Sequence, residues 1–142
     1  MRFMMLVIPK GYEKAEPGFM PDAKLVEKMM AYNKSLAESG VLLALDGLHP
    51  PSVGARVTFS GAKATVTEGP FKGAQELIGG YWMIQVKSKA EAIEWASRAP
   101  MLDGDIIELR QVQEMSDFSD EVREAAGGFP DLKAQSAGRK GS

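Results

Sequence analysis

Apolar residues follow two different patterns in the first third of the chain. A near-continuous apolar run over residues 2–8 predicts a strand that is covered on both faces. After a loop at residues 9–18, apolar residues recur three and four positions apart, which is the spacing of an amphipathic helix. These residues are Leu25, Met29, Tyr32 and Leu36. We expect Pro21 at the first helical position, Asp22 in the first turn and Gly40 just after the end.

The centre of the chain predicts β-structure. A short apolar run, residues 41–45, indicates a second strand, and Asp46-Gly47 is expected to turn the chain after it. Leu48-His49-Pro50-Pro51 cannot form a central strand, because two prolines remove two ladder donors. Residues 56–60 and 63–67 flank a Gly-Ala turn and predict a β-hairpin.

The next third of the chain again predicts a strand, a helix and a strand. Residues 81–86 alternate and should place Trp82, Ile84 and Val86 on one face. Ser88 and Glu91 have the spacing of a capping box, so a second helix should begin there and end before Pro100. Its apolar face is predicted from three residues with Trp95 beside them, namely Ala92, Ile93 and Ala96. Residues 105–112 predict a last strand with Ile107 and Leu109 inward.

This order predicts an α+β, ferredoxin-like antiparallel sheet with two helices on one face. The domain should span residues 1–112. Residues 113–142 should be a C-terminal extension that is partly flexible, with a short helix at residues 119–126. The sheet face opposite the helices would carry a mixed set of side chains, so we expect a homodimer with sheet facing sheet, a dimeric α+β barrel. These side chains are Tyr81, Met83, Gln85, Glu108 and Arg110.

Composition and charge narrow the function. The chain of 142 residues has no cysteine, which excludes disulfides, thiolate catalysis and Cys-ligated metals. A formal net charge of −2 without a Lys/Arg run argues against nucleic-acid binding. The N-terminal apolar run is too short for a signal peptide or a membrane span. We therefore expect a cytoplasmic protein without membrane or nucleic-acid partners.

Two side chains are the candidates for catalysis. His49, the only histidine, could act as a general acid or base, or could be a loop residue bonded to a backbone carbonyl. Glu68, before Gly69-Pro70, could orient His49 or accept the amides of its own turn. If the two side chains are hydrogen-bonded, the carboxylate would fix the imidazole tautomer and raise its basicity.

Three further residues are candidates for ligand binding. Tyr81 and Arg110 lie on the predicted open sheet face, where Arg110 could bind a carboxylate or pair with Glu108. Phe71 is the hydrophobic anchor of the turn after Glu68. A single histidine and scattered acids predict no metal site, and Gly79-Gly80 opens a strand, so it predicts no phosphate loop and no cofactor. These glycines should instead permit a bulge or a close backbone approach.

Six segments, in order and spacing, resemble the YCII-related proteins, specifically the branch named for its Asp-Gly-Pro-Phe (DGPF) motif. They are residues 2–7, 47–51, 67–71, 77–82, 91–96 and 107–112. The signature departs from this branch at Glu68, which stands in place of the usual Asp. The resemblance implies a cytoplasmic, dimeric α+β barrel, an association with extracytoplasmic-function sigma factors in many members, and a suspected enzymatic His/Asp pair in a cleft.

Two functions follow from these observations. The first is a non-catalytic dimer that binds a small organic ligand or serves as an accessory protein. The second is a cofactor-independent hydrolase or lyase on a small organic substrate, with His49 as base and Glu68 as orienter or acid. We favour the first, because no nucleophile or oxyanion hole is evident in the sequence.

Overall fold

A four-stranded antiparallel sheet and two helices packed on one of its faces form the main unit of the protein. The structure, a computed structural model, describes residues 1–127. Within them the strands are β1 (Arg2–Ile8), β2 (Leu42–Gly47), β3 (Ala55–Ser60), β4 (Lys63–Glu68), β5 (Gly80–Gln85) and β6 (Ile106–Gln111). The helices are α1 (Ala23–Glu38), α2 (Lys89–Ser97) and α3 (Asp120–Ala125).

The strand order of the main sheet is β2-β5-β1-β6, and all pairs are antiparallel. Strand β1 therefore lies in the interior of the sheet, between β5 and β6. Strands β3 and β4 form a separate two-stranded hairpin, which follows β2 and precedes β5 along the chain. This order, with helical connections after β1 and β5, confirms the predicted ferredoxin-like α+β fold.

The hydrophobic core lies between the sheet and the two helices. Phe3, Met5, Trp82 and Ile84 project from the sheet into it. The helices complete the core with Tyr32, Leu36, Ala92 and Trp95. Both helices therefore cover the same sheet face, as the apolar stripe of α1 and the alternation of β5 predict.

The chain divides into two units after Val112. In the second unit, Ser119 caps α3 by accepting a hydrogen bond from the amide of Val122 at 3.3 Å, which confirms the short predicted helix. Residues 128–142, which belong to the extension predicted to be partly flexible, lie outside the described residues. Among the described residues, no helix combines the length and the apolar character that crossing a membrane requires.

Three local predictions are corrected by the structure. Helix α1 begins at Ala23, because Asp22 is its N-cap and accepts a hydrogen bond from the amide of Lys24. Strand β2 continues through Asp46 and Gly47 instead of turning there, since both pair with β5. On α2, Ile93 is exposed and Trp95 is buried in the core instead.

The capping box of α2 forms with a different donor for the Glu91 carboxylate. The amide of Glu91 donates to the Ser88 hydroxyl oxygen at 3.1 Å, as expected. The Glu91 carboxylate accepts from the amide of Lys87 at 2.9 Å, one residue before the cap. The predicted start of this helix is thus confirmed.

The buried hydroxyl of Tyr32 connects α1 to α2 by a hydrogen bond. It donates to the carbonyl oxygen of Trp95 at 2.6 Å, and its ring meets the edge of the Trp82 ring at a centroid distance of 5.3 Å. Burial raises the pKa of Tyr32 to about 12. The phenolate would lose the hydrogen bond to a carbonyl and would be poorly solvated, so the fold favours the neutral form.

We expect Tyr32→Phe to be less stable than the wild type by about 1 kcal/mol at pH 8, because a buried carbonyl loses its donor. This gap should shrink as pH rises from 10 toward 12. In that window the unfolded wild type has lost the Tyr32 proton while the folded state retains it, so the wild type alone loses this stabilisation. Urea denaturation at a series of pH values measures the gap, and a gap that stays constant up to pH 12 would contradict the assignment.

Candidate functional site

The predicted site segments converge at one end of the main sheet. Strands β1 and β2 end there and β5 and β6 begin there, because neighbouring strands are antiparallel. The amide of Leu48 donates to the carbonyl oxygen of Gly79 at 2.9 Å, and the amide of Gly79 donates to that of Val7 at 2.7 Å. The loop that carries His49 is therefore held directly against the start of β5.

Gly79 and Gly80 are glycines because other backbone and ring atoms approach them closely. A Cβ atom on Gly79 would lie 2.7 Å from the ring of Pro9, and one on Gly80 would lie 2.9 Å from the carbonyl oxygen of Asp46. The prediction of a close backbone approach is confirmed. Beside them the Tyr12 hydroxyl donates to the carbonyl of Leu48, and burial raises the pKa of Tyr12.

The turn formed by Glu68-Gly69-Pro70-Phe71 packs against the turn that follows His49. The amide of Gly69 donates to the carbonyl oxygen of Gly54 at 2.8 Å. A Cβ atom on Gly69 would lie 1.7 Å from the carbonyl oxygen of Pro51, so no side chain fits there. The contact of these two backbones brings the segments of His49 and Glu68 together.

The side chains of His49 and Glu68 do not complete the predicted pair. Both are exposed, and Glu68 ends β4 opposite Ala55. Among residues 1–127 the hydrogen bonds and ion pairs include none that joins this imidazole to this carboxylate. Their catalytic roles stay predictions, and the geometry gives them no direct coupling.

Phe71 lies where the turn meets the hairpin. The Arg56 guanidinium sits over its ring, with the guanidinium carbon 4.4 Å from the ring centroid. Phe71 also lines an open cavity of about 270 Å³, together with Pro70, Lys14 and Lys72. Sequence reasoning missed Arg56, because nothing in the sequence shows that a strand residue reaches an aromatic ring fifteen positions away.

The sheet face opposite the helices, called here the outer face, is ordered in cross-strand rows. Paired residues of neighbouring strands share a face, so the register defines each row. One row runs from β2 to β6 through Asp46, Tyr81, Leu6 and Glu108. The next row runs through Ala44, Met83, Met4 and Arg110. The outer face therefore has apolar side chains on the two inner strands and charged groups toward the edges.

Among the described residues, the polar contacts of this outer face include a hydrogen bond and an ion pair. The Tyr81 hydroxyl donates to the Asp46 carboxylate at 2.7 Å, and Arg110 forms an ion pair with Glu108 at 3.5 Å. The structure thus realises the alternative in which Arg110 pairs with Glu108. Asp46 lies among the candidate site residues, although the sequence favours it as a turn residue and makes it only a weak site candidate. Asp-Gly is a strong turn signal, and the contact with Tyr81 is visible only in the sheet register.

The described residues offer no ready-made metal centre. Within residues 1–127, no three His, Asp or Glu side chains lie close enough together to hold a metal ion. The polar groups of the site are instead a tyrosine–aspartate pair, an arginine–glutamate pair and an exposed histidine. Such groups can orient an organic ligand by hydrogen bonds and charge.

The structure defines a ferredoxin-like α+β protein whose outer sheet face and end loops carry the candidate functional groups. The family model of the YCII-related domain matches residues 1–116, so the chain belongs to the YCII-related family. No curated protein matches the chain. The family assignment confirms the resemblance seen in the sequence, while the DGPF branch stays a prediction.

We expect Gly69→Ala to destabilise the protein by about 3 kcal/mol or more, since the new methyl group would overlap the Pro51 backbone, which cannot move without breaking the Gly54 contact. Gly47→Ala is the matched control, because a Cβ atom there meets nothing within 4 Å. Its effect should stay within about 0.5 kcal/mol. Urea denaturation of both variants measures the difference, and equal stability would contradict the packing described.

Proposed function

We propose that this protein is a homodimer that binds a small organic ligand at the outer face of its main sheet. The observation that supports this proposal is the order of the outer face itself. Apolar Leu6, Met4 and Met83 lie on the inner strands, and the Asp46–Tyr81 and Glu108–Arg110 pairs lie beside them. An apolar centre with a polar rim is the usual anatomy of a protein interface and of a ligand site.

The proposal of a dimer rests on the apolar centre of the outer face. Both helices pack on the opposite face, so the helical layer does not cover Met4, Leu6 or Met83. A two-fold axis at the outer face would pair this apolar centre with its own copy. Two twisted sheets facing each other diverge at their ends, which leaves space for a ligand near the loops of His49 and Phe71.

The proposed ligand carries an aromatic or apolar body and an acidic group. Tyr81 supplies an aromatic ring and Arg110 supplies the cation that a carboxylate prefers. Arg110 is exposed and its Glu108 partner is 3.5 Å away, so a carboxylate could exchange with Glu108 at modest cost. A binding role fits the geometry better than hydrolysis, because His49 and Glu68 form no hydrogen bond with each other.

Met83→Lys should convert a dimer into a monomer, because it places an ammonium group at the centre of the proposed interface. Met30→Lys is the matched control, since Met30 is exposed on α1, away from the outer face. Sedimentation velocity of the full chain measures the mass of each species. A wild type that sediments at the mass of one chain, or a Met83→Lys variant that remains dimeric, would overturn the proposed interface.

Benzoate is a simple probe for the ligand class. In a titration of the ¹⁵N-labelled protein with benzoate, we expect chemical-shift changes at the amides of Tyr81, Met83 and Arg110. Arg110→Gln should weaken the response, because the guanidinium charge is removed while a polar hydrogen-bonding side chain remains. Benzyl alcohol, which has the ring but not the charge, is the control. An equal response to both probes, or none at these amides, would exclude an acidic ligand on this face.

A further inference from the structure

The hairpin of β3 and β4 is the least buried regular structure in the main unit. All twelve of its strand residues are exposed, although six residue pairs hold it in register. An isolated two-stranded hairpin is at best marginally stable in water, because it has no second layer to bury its side chains against. This hairpin therefore needs a contact that the described residues of one chain do not supply.

The register divides the hairpin into an apolar and a polar face. The face called here the hairpin face carries Ala55, Val57, Phe59, Ala64 and Val66, with Glu68 opposite Ala55 at the end of the hairpin. Val57, Phe59 and Val66 expose 51%, 77% and 62% of their surface. The opposite face carries polar side chains, which are Arg56, Thr58, Ser60, Lys63, Thr65 and Thr67. Strand side chains alternate, so the two faces point in opposite directions.

The polar face of the hairpin contacts another segment of the same chain. Arg56 belongs to this face and stacks on Phe71 of the adjacent turn at 4.4 Å. The hairpin face consequently points away from that turn. A hairpin that only had to fold onto its own domain would show the reverse arrangement, with Phe59 inward and Arg56 in water.

We propose that the hairpin is a dimer arm whose apolar face docks on a second copy of this chain. This inference rests on the proposed homodimer and adds a second contact to it. Val57, Phe59 and Val66 together expose on the order of 300 Å² of apolar surface. A stable interface needs about 800 Å² from each partner, so the hairpin face must act with another surface of the same chain.

The outer face of the main sheet is that other surface. The hairpin is inserted between β2 and β5, the two strands that carry Asp46 and Tyr81 on the outer face. In a two-fold dimer through the outer faces, each hairpin projects from the rim of the interface. The contact of the hairpin face and the contact made near the rim of the outer face then each occur twice.

The segment from β2 to β4 has a net charge of zero, so it gives no attraction to an anionic membrane. It carries two acidic and two basic side chains, which are Asp46, Glu68, Arg56 and Lys63.

Phe59→Lys tests the arm without disturbing the fold, because this side chain is exposed. Phe19→Lys is the matched control, since Phe19 is also exposed, at 57%, but lies outside the hairpin. Sedimentation velocity over a dilution series gives the dimer dissociation constant. We expect Phe59→Lys to raise it about tenfold or more and Phe19→Lys to leave it unchanged. Circular dichroism should show the same secondary structure in both variants.

The outcomes separate this inference from the proposed function. One outcome is that the wild type dimerises, Met83→Lys abolishes the dimer and Phe59→Lys leaves the dissociation constant unchanged. In that case the proposal of a dimer arm is wrong, and the proposed interface through the outer face stands. If the wild type is monomeric at every concentration, both proposals are overturned. If Phe59→Lys weakens the dimer and Met83→Lys does not, the arm stands and the outer face is not the interface.

A spin label provides a second measurement. The chain has no cysteine, so Ala62→Cys places one nitroxide at the hairpin tip and Ala37→Cys places one on α1 as a control. In dimers mixed from spin-labelled and ¹⁵N-labelled chains, the Ala62 label should broaden amides of the ¹⁵N copy and the Ala37 label should broaden few of them. Equal broadening by the two labels, or none by the Ala62 label, would overturn the arm.

Discussion

The pairing of β1 on both of its edges is the constraint on which the rest of the main unit depends. Because β5 and β6 both bind β1, its side chains lie in the middle of the sheet on both faces. Phe3 and Met5 are buried under the helices, while Met4 and Leu6 occupy the centre of the outer face. An apolar strand with two apolar faces requires two covering layers, and the helices supply one of them. The proposed dimer supplies the other.

Close contacts at three glycines hold the site loops on this sheet. Gly69 lies against Pro51, and Gly79 and Gly80 lie against Pro9 and Asp46. A Cβ atom would clash at each of these positions, so the loops can approach this closely only where the residue is glycine. The same contacts leave the side chain of His49 exposed. The backbone of the candidate site is therefore closely packed, while its histidine is exposed.

The hairpin and the outer face share one physical property. Each is a β-surface with apolar side chains that the helical layer does not bury. Apolar surface in water costs free energy in proportion to its area, and exposed strands also present unpaired backbone groups. A single symmetric association that covers both surfaces removes their apolar area from water, and for this reason we place the two surfaces in one interface.

Much of the fold could be predicted from the sequence, because the relevant signals are local. The stripe of α1 predicts the burial of Tyr32 and Leu36, the alternation of β5 predicts that of Trp82 and Ile84, and the Ser88 cap predicts the start of α2. The order of strands and helices then leaves few topologies to consider. The Gly79-Gly80 pair likewise indicates a close backbone approach before any partner is known.

Only the tertiary structure decided which distant residues meet. Asp46 looked like a turn residue, yet the register of β2 with β5 places its carboxylate on the Tyr81 hydroxyl. Arg56 stacks on Phe71, and His49 and Glu68 lie on packed turns without forming a hydrogen bond with each other. The sequence by itself determined the periodicities, and hence the elements and their buried faces. Strand register and the packing of turns depend on contacts between residues far apart in the chain, which no local pattern encodes.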